Sequence, residues 1–552
     1  FHYMVFSLHW VVRYLDALEH ATGEDLYPRM RERFAPLKYY VAHSILPDGR
    51  TVFDFGDTGR GAAERNRKSG GALNSGYEVL YRLAAKYRDA EAQGVADWLR
   101  RGLKHATWED HWAFYAHDPS LRPSPVGKLP TSHFFQNNGT VFWRSGWDAR
   151  ATAFAFRAAP PEGHHVTALL PHVPDWRLST GHAHPDANSF IIYAHGKYLT
   201  GDTGYTGVKR TSDHNTVLVD GRGQSDDGRH EVFKEVPYEQ LDRIRVVETW
   251  ATPEYFYARG EAASAYPPEL KLTRFDRHFL YVAPDYFLVW DELAAAEPRR
   301  FSWMLNAEQA INELAPRQFV LASGGAGLLV EQLVAPAAAR AEILPQVVTA
   351  QGRPGSIERG VEEQRGVQLV LHTDASEREG EFLHFFRPLE ILSTAREEKQ
   401  EGEPQVAPLR TGAARAVKIN WPGGDTEVAL LRRDARGEIV ELVTDAARAI
   451  ARVSPAGAWR RLILHNGTHL SRGGVAFLRA SRRASITLTS QAGDASWRGT
   501  ISADGPASIS ICVARRPRRL LLGGAQVRFE YDAARRTVTF EVGAGQSSVE
   551  GL

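Results

Sequence analysis

The chain has 552 residues, of which 43% are hydrophobic and 24% charged. That composition excludes a disordered or fibrous protein and supplies core material for roughly two to four domains. A net charge of +1 leaves no overall field to draw nucleic acid or a membrane, a lone Cys512 excludes an intrachain disulfide framework, and no apolar run reaches transmembrane length.

Taken in order, residues 1–20 read as a helix. Val5, Leu8, Val12, Leu15 and Leu18 hold helical spacing, and Gly23 stands where a C-terminal cap belongs. The chain starts at Phe1 inside this pattern, which reads as a processed or partial chain. A second helix is expected from Leu26 to Ile45, ended by Pro47-Asp48-Gly49. Phe53 to Gly71 is rich in glycine and charge and reads as a long loop. Two further helices are expected over Ser75–Tyr87 and Ala90–Lys104, so paired helices occupy residues 1–120. Pro119, Pro123, Pro125 and Pro130 mark a linker.

Beyond the linker the texture turns to β. Thr140–Arg144, Ala151–Phe156, Phe279–Val282, Phe287–Trp290 and Phe301–Leu305 are short strand-like runs with turn residues between them, which predicts an antiparallel sandwich over 130–395. A polar break follows at Arg396 to Pro408. Strands at Glu427–Arg432, Arg460–His465, Ala484–Thr489, Ser508–Val513 and Thr537–Val542 then predict a further β domain over 405–552. The fold class is thus α+β and multidomain.

The densest chemistry lies between 181 and 215. His182, His184 and Asp186 fall on alternate positions, and in an extended backbone their side chains leave one face. Ser189–Ala194 and Lys197–Asp202 read as a hairpin about His195-Gly196, which sets Asp202 opposite Ser189. After a glycine-containing loop, His214 opens another strand, Thr216–Asp220, and returns to the same end. His184, Asp202 and His214 therefore form a candidate divalent metal site, with Zn²⁺ first and Mn²⁺ or Ca²⁺ as alternatives. Asn188 and Asn215 flank these residues. Tyr205 sits in the loop leaving the site, and Arg177, Lys209 and Arg210 lie close enough in sequence to line a basic cleft.

The runs GHAHPDANSF at 181–190, GKYLTGDTGY at 196–205 and DHNTVLVDGRGQ at 213–224 resemble the heparinase II/III-like polysaccharide lyases. The likeness is dense over 181–224, looser but continuous from about 130 to 310, and architectural elsewhere. The resemblance implies an α/α toroid ahead of the β domains, of which the helices here are a part. It implies a metal at His184, Asp202 and His214, with His182 in the substrate cleft. It also implies β-elimination of an acidic, uronate-containing polysaccharide of the alginate or glycosaminoglycan type, in a periplasmic or secreted setting. In that family an Asn-His pair and a tyrosine on the toroid share the chemistry. The pair is not found in residues 1–118, and its expected place is ahead of Phe1; the tyrosine's candidate is Tyr3. Tyr205 and Asn188 are candidate substrate-binding groups.

Two other readings remain open. His184-Pro185-Asp186 with a distant histidine mimics the two-histidine, one-carboxylate set of a non-haem iron oxygenase. A carbohydrate-binding or scaffold protein with a structural metal is the third. An unsaturated uronate product, O₂ consumption or neither separates the three.

Overall fold

The computed structural model describes residues 1–58, 76–103, 109–173, 178, 181–336, 339–350, 361–391, 402–411, 414–432, 441–490 and 496–552. The chain divides into two compact units, Phe1–Ser393 and Thr394–Leu552.

The first unit opens with helices. α1 spans His2–Thr22 and stops where Gly23 turns left-handed (φ 77°) and donates its N–H to Glu19 O. The helix expected from Leu26 to Ile45 is two, α2 (Tyr27–Phe34) and α3 (Leu37–Ser44). Pro36 has no N–H to give and its ring crowds the preceding turn, so the helix breaks there. α4 (Tyr77–Tyr87) and α5 (Ala90–Gly102) form a hairpin joined by two residues. Asp89 caps α5 by accepting from the Glu91 and Ala92 amides. α6, Glu109–Ala116, is not anticipated by the sequence reading. Its Trp112, Phe114 and Tyr115 are exposed, so its apolar residues give no one-sided stripe to read. Among the described residues no helix is long and apolar enough to cross a membrane.

Five strands follow as one antiparallel sheet in chain order: β1 (Ser132–Phe135), β2 (Thr140–Arg144), β3 (Ala153–Arg157), β4 (Ser189–Ala194) and β5 (Lys197–Tyr198). β2 and β4 are buried at every position, which explains why Phe190–Ala194 reads as a continuous apolar run and Val141–Trp143 as a shorter one. One face of this sheet packs on the helical segment, with Phe142, Ile191 and Tyr193 against Leu46, Phe53 and Phe55. The other face enters the main core. There Phe154 and Trp143 meet Phe256 and Tyr281 of an eight-stranded antiparallel sheet, at ring distances of 4.9 and 5.1 Å. A four-stranded sheet containing β6 (Val217–Val219) and Phe301–Ala307 adds Val217, Trp303 and Leu305 to the same core.

In the second unit the described strands form a 14-stranded antiparallel sheet around a separate core that includes Leu430, Leu462, Ile486 and Ile509. The α+β, multidomain class is as the sequence indicates.

Candidate functional site

Residues 181–188 are turns and irregular chain rather than the extended strand that the HxH spacing invites. Convergence at this end comes from how the next segments are pinned. β4 and β5 pair through a two-residue turn in which His195 and Gly196 both have positive φ (52° and 76°), the form that matches strand twist. The pairing then stops. The Leu199 and Thr200 amides both donate to Ile192 O, and the Gly201 amide leaves to Asn306 O on the neighbouring sheet. The expected strand to Asp202 therefore ends at Tyr198, and Asp202 does not sit opposite Ser189. Gly201 passes so close to Asn306 that a Cβ would lie 3.3 Å from it. This departure sets Asp202 beside His214, with Oδ2 2.8 Å from Nδ1.

Two buried residues fasten the frame. The Asn215 side chain donates to Phe190 O (2.8 Å) and Gly201 O (3.2 Å), while its oxygen accepts the Asn306 amide (2.7 Å). Arg277 makes a bidentate pair with Asp291 at 2.6 and 2.9 Å and also donates to the carbonyls of Asn188 and Asn215.

His184, Asp202 and His214 are brought together. Each offers a ligand atom, all within 4.8 Å of one another, and all three residues are buried. His184 Nδ1 and His214 Nε2 are buried with no hydrogen-bond partner among the described residues. Two stranded imidazole nitrogens beside a carboxylate fit a divalent cation, which would satisfy both at once. Burial alone would lower the His214 pKa, but the charge and hydrogen bond of Asp202 outweigh it and raise it to about 9.

His182 stands apart from this set. Its side chain is 48% exposed, against 1% for His184. Its ring stacks on Tyr3 at 3.6 Å, and the Tyr3 hydroxyl lies 2.7 Å from that of Tyr205. Burial, then the bond to Tyr205, push the Tyr3 phenol well above its ordinary pKa, so it holds its proton.

The residue that sequence reasoning missed is Asp57, within the segment read as a loop. Its Oδ2 is 2.9 Å from His182 Nδ1 and its Oδ1 is 2.9 Å from His184 Nε2. Burial would raise its carboxyl pKa, but the bonds from His182 and His184, with Lys209 nearby, hold it well below the ordinary range. Gly56 (φ 69°) lets the chain turn there, where a Cβ would stand 3.1 Å from His182 O. Phe53 and Phe55 ahead of Asp57 are both buried, which packs this segment into the fold.

Other candidates fall elsewhere. Asn188 is fully buried and gives its amide hydrogens to Gly260 O and Phe275 O, so it faces no cleft and is not a substrate-binding group. Asp186 pairs with Arg157 at 3.3 Å and is not part of the group whose ligand atoms converge within 4.8 Å. Lys209 is buried 3.4 Å from Asp57 and does not line a surface. Arg210 donates to Thr349 Oγ1, and Arg177 lies outside the described residues.

Residues 127–382 match the family model described as Heparinase II/III-like, C-terminal. Among solved structures, the chain is similar to a chondroitin AC lyase of Streptomyces coelicolor A3 in complex with chondroitin sulphate. The identity is 12% and the TM-score 0.53, over 100% of this chain and 69% of that one. It is also similar to a heparinase III (13% identity, TM-score 0.46, 72% of this chain and 51% of that one). A heparan sulfate lyase, HepC, of Pedobacter heparinus is a third (16%, TM-score 0.44, 70% and 51%). The chain spans about half the length of this heparinase III and of HepC.

Proposed function

We propose that this chain, whose residues 127–382 carry the heparinase II/III-like C-terminal region, is part of a polysaccharide lyase that cleaves a uronate glycoside by β-elimination. The observation that carries the reading is the array Tyr3–His182–Asp57–His184 beside a buried two-histidine, one-carboxylate set.

In this reaction a base takes the C5 proton, the electron pair forms the C4–C5 double bond, the C4–O4 bond breaks and an acid returns a proton to O4. His182, half exposed and with Nδ1 held by Asp57, presents Nε2 as the base. Tyr3, which keeps its proton, is placed to protonate O4, and Tyr205 orients that hydroxyl. His184, Asp202 and His214 would hold the divalent cation, Zn²⁺ first with Mn²⁺ and Ca²⁺ as alternatives. Held by these three residues, such a cation would tie the 181–188, 199–204 and 211–216 segments together, with His182 beside it. Alginate, heparan-type and chondroitin-type polymers are the substrates to compare.

The test is a panel of uronate polymers incubated with the protein and followed by ultraviolet absorbance. A new absorbance from a 4,5-unsaturated uronate supports the reading. Binding with no new absorbance would replace it with a carbohydrate-binding role.

A further inference from the structure

Asp57 touches both histidines of the HxH pair, and the chemistry of a carboxylate decides what that contact does. An ionised carboxylate only accepts hydrogen bonds. The ring nitrogens it meets must therefore carry the protons: Nδ1 of His182 and Nε2 of His184. In a neutral imidazole the other nitrogen is then bare. For His184 the bare atom is Nδ1, the buried nitrogen with no partner. For His182 it is Nε2, on the ring that is half exposed and stacked on Tyr3.

We infer that Asp57 is a positioning residue that sets both histidine tautomers with one carboxylate, fixing the metal-donor nitrogen of His184 and the proton-accepting nitrogen of His182 together. This rests on the proposed function for the roles of the two nitrogens, but not for the tautomers themselves. The remaining contacts fit the same role. Lys209 Nζ lies 3.4 Å from Oδ2 and the Thr206 amide 3.4 Å from Oδ1, so each carboxylate oxygen has one histidine and one further donor. The loop is fastened independently of the carboxylate. The Asp57 amide donates to His182 O (3.1 Å), and the Tyr205 amide donates to Thr58 O (3.0 Å). Changing the side chain therefore leaves the backbone path in place.

The test compares wild type with Asp57→Asn and Asp57→Ala, using histidine labelled with ¹⁵N and long-range ¹⁵N–¹H correlation, with and without zinc. Wild type should show His182 protonated at Nδ1 and His184 at Nε2 in the metal-free chain. In Asp57→Ala both rings should lose that fixed pattern. In Asp57→Asn, which keeps the shape but has one acceptor oxygen, at least one ring should lose it. Zinc affinity, read by competition with a chelating dye, should fall about 10- to 100-fold in Asp57→Ala, the usual effect of removing a carboxylate behind a metal-binding histidine. Unchanged tautomers in both variants would overturn the inference, and a change at only one histidine in Asp57→Ala would overturn the coupling. If Asp57→Ala does not fold, unchanged tautomers in Asp57→Asn alone overturn it. A wild-type chain that takes up no zinc but shows the fixed tautomers sinks the metal part of the proposed function and leaves the hold by Asp57 standing.

Discussion

Two histidines two positions apart, His182 and His184, differ because one is sealed in and the other is not. His184 is 1% exposed and has a buried Nδ1 with no hydrogen-bond partner among the described residues, whereas His182 is 48% exposed and lies against a tyrosine. Substitutions should separate them. His184→Ala, Asp202→Ala and His214→Ala should each lose bound zinc on metal analysis of the purified protein, with a lowered melting temperature because three segments lose their common tie. Retention of a full equivalent in all three variants would remove the proposed site. His182→Ala should keep its metal and fold while turnover falls about 10²-fold or more, the scale for a positioned acid or base. Loss of metal on a par with His184→Ala would make His182 a ligand instead. Tyr3→Phe should lower turnover while leaving zinc content unchanged, because the ring stack survives and only the hydroxyl is lost. Unchanged turnover would leave Tyr3 a packing residue.

At the scale of elements, the site depends on two segments held from behind by one cation. Arg277 pairs with Asp291 and carries the carbonyls of Asn188 and Asn215, all fully buried. Arg277→Met strands Asp291, whose remaining side-chain partner among the described residues is the Trp303 indole N–H. The expected cost is about 3–5 kcal/mol of stability in denaturant titration, as for breaking a buried pair from one side. Arg277→Lys should recover only part of it, since an ammonium cannot reproduce the forked geometry. A midpoint within error of wild type for Arg277→Met would mean the frame is held elsewhere. The same elements show what a sequence discloses. Thr140–Arg144, Ser189–Ala194 and Thr537–Val542 are found at their expected bounds, because period and apolar content are local. Pro36 broke a helix that apolar spacing alone carried through. The peel-off after Tyr198 was not legible, since it is driven by Asn306, a partner about a hundred residues away. Asp57 was hidden for the same reason, because what it contacts lies 125 and 127 residues downstream. His184, Asp202 and His214 do converge as expected, but not by the hairpin register that nominated them, since 181–188 is no strand and the chain leaves the hairpin after Tyr198. Asn188 was misplaced because proximity in sequence says nothing about which way a side chain turns.

Across the whole molecule, the buried neutral histidines make stability depend on pH. His384 lies in the first unit's interior, stacked 3.9 Å from Trp303, with Arg277 adding to the effect of burial; its pKa falls to about 3. His43 in the same unit and His465 in the second are also held well below the ordinary value, burial being the main cause and Arg144 and Arg448 the next. An unfolded histidine titrates near 6.5. Between that value and the depressed one the unfolded chain binds more protons than the folded chain, so stability falls as pH falls. For His384 the window runs from about 6.5 down to about 3. The loss reaches about 3 kcal/mol by pH 4 and is absent above neutrality. Carboxylates that are ion-paired in the fold add their own acid loss, so the histidine must be isolated by difference. His384→Leu keeps an apolar group of similar size against Trp303 and cannot take up a proton. Measured by denaturant unfolding, the stability of this variant relative to wild type should rise by about 3 kcal/mol between pH 7 and pH 4, whatever its starting offset. A difference that stays constant over that range would show that His384 is protonated equally in both states, by water or by a local opening that lets the ring reach solvent.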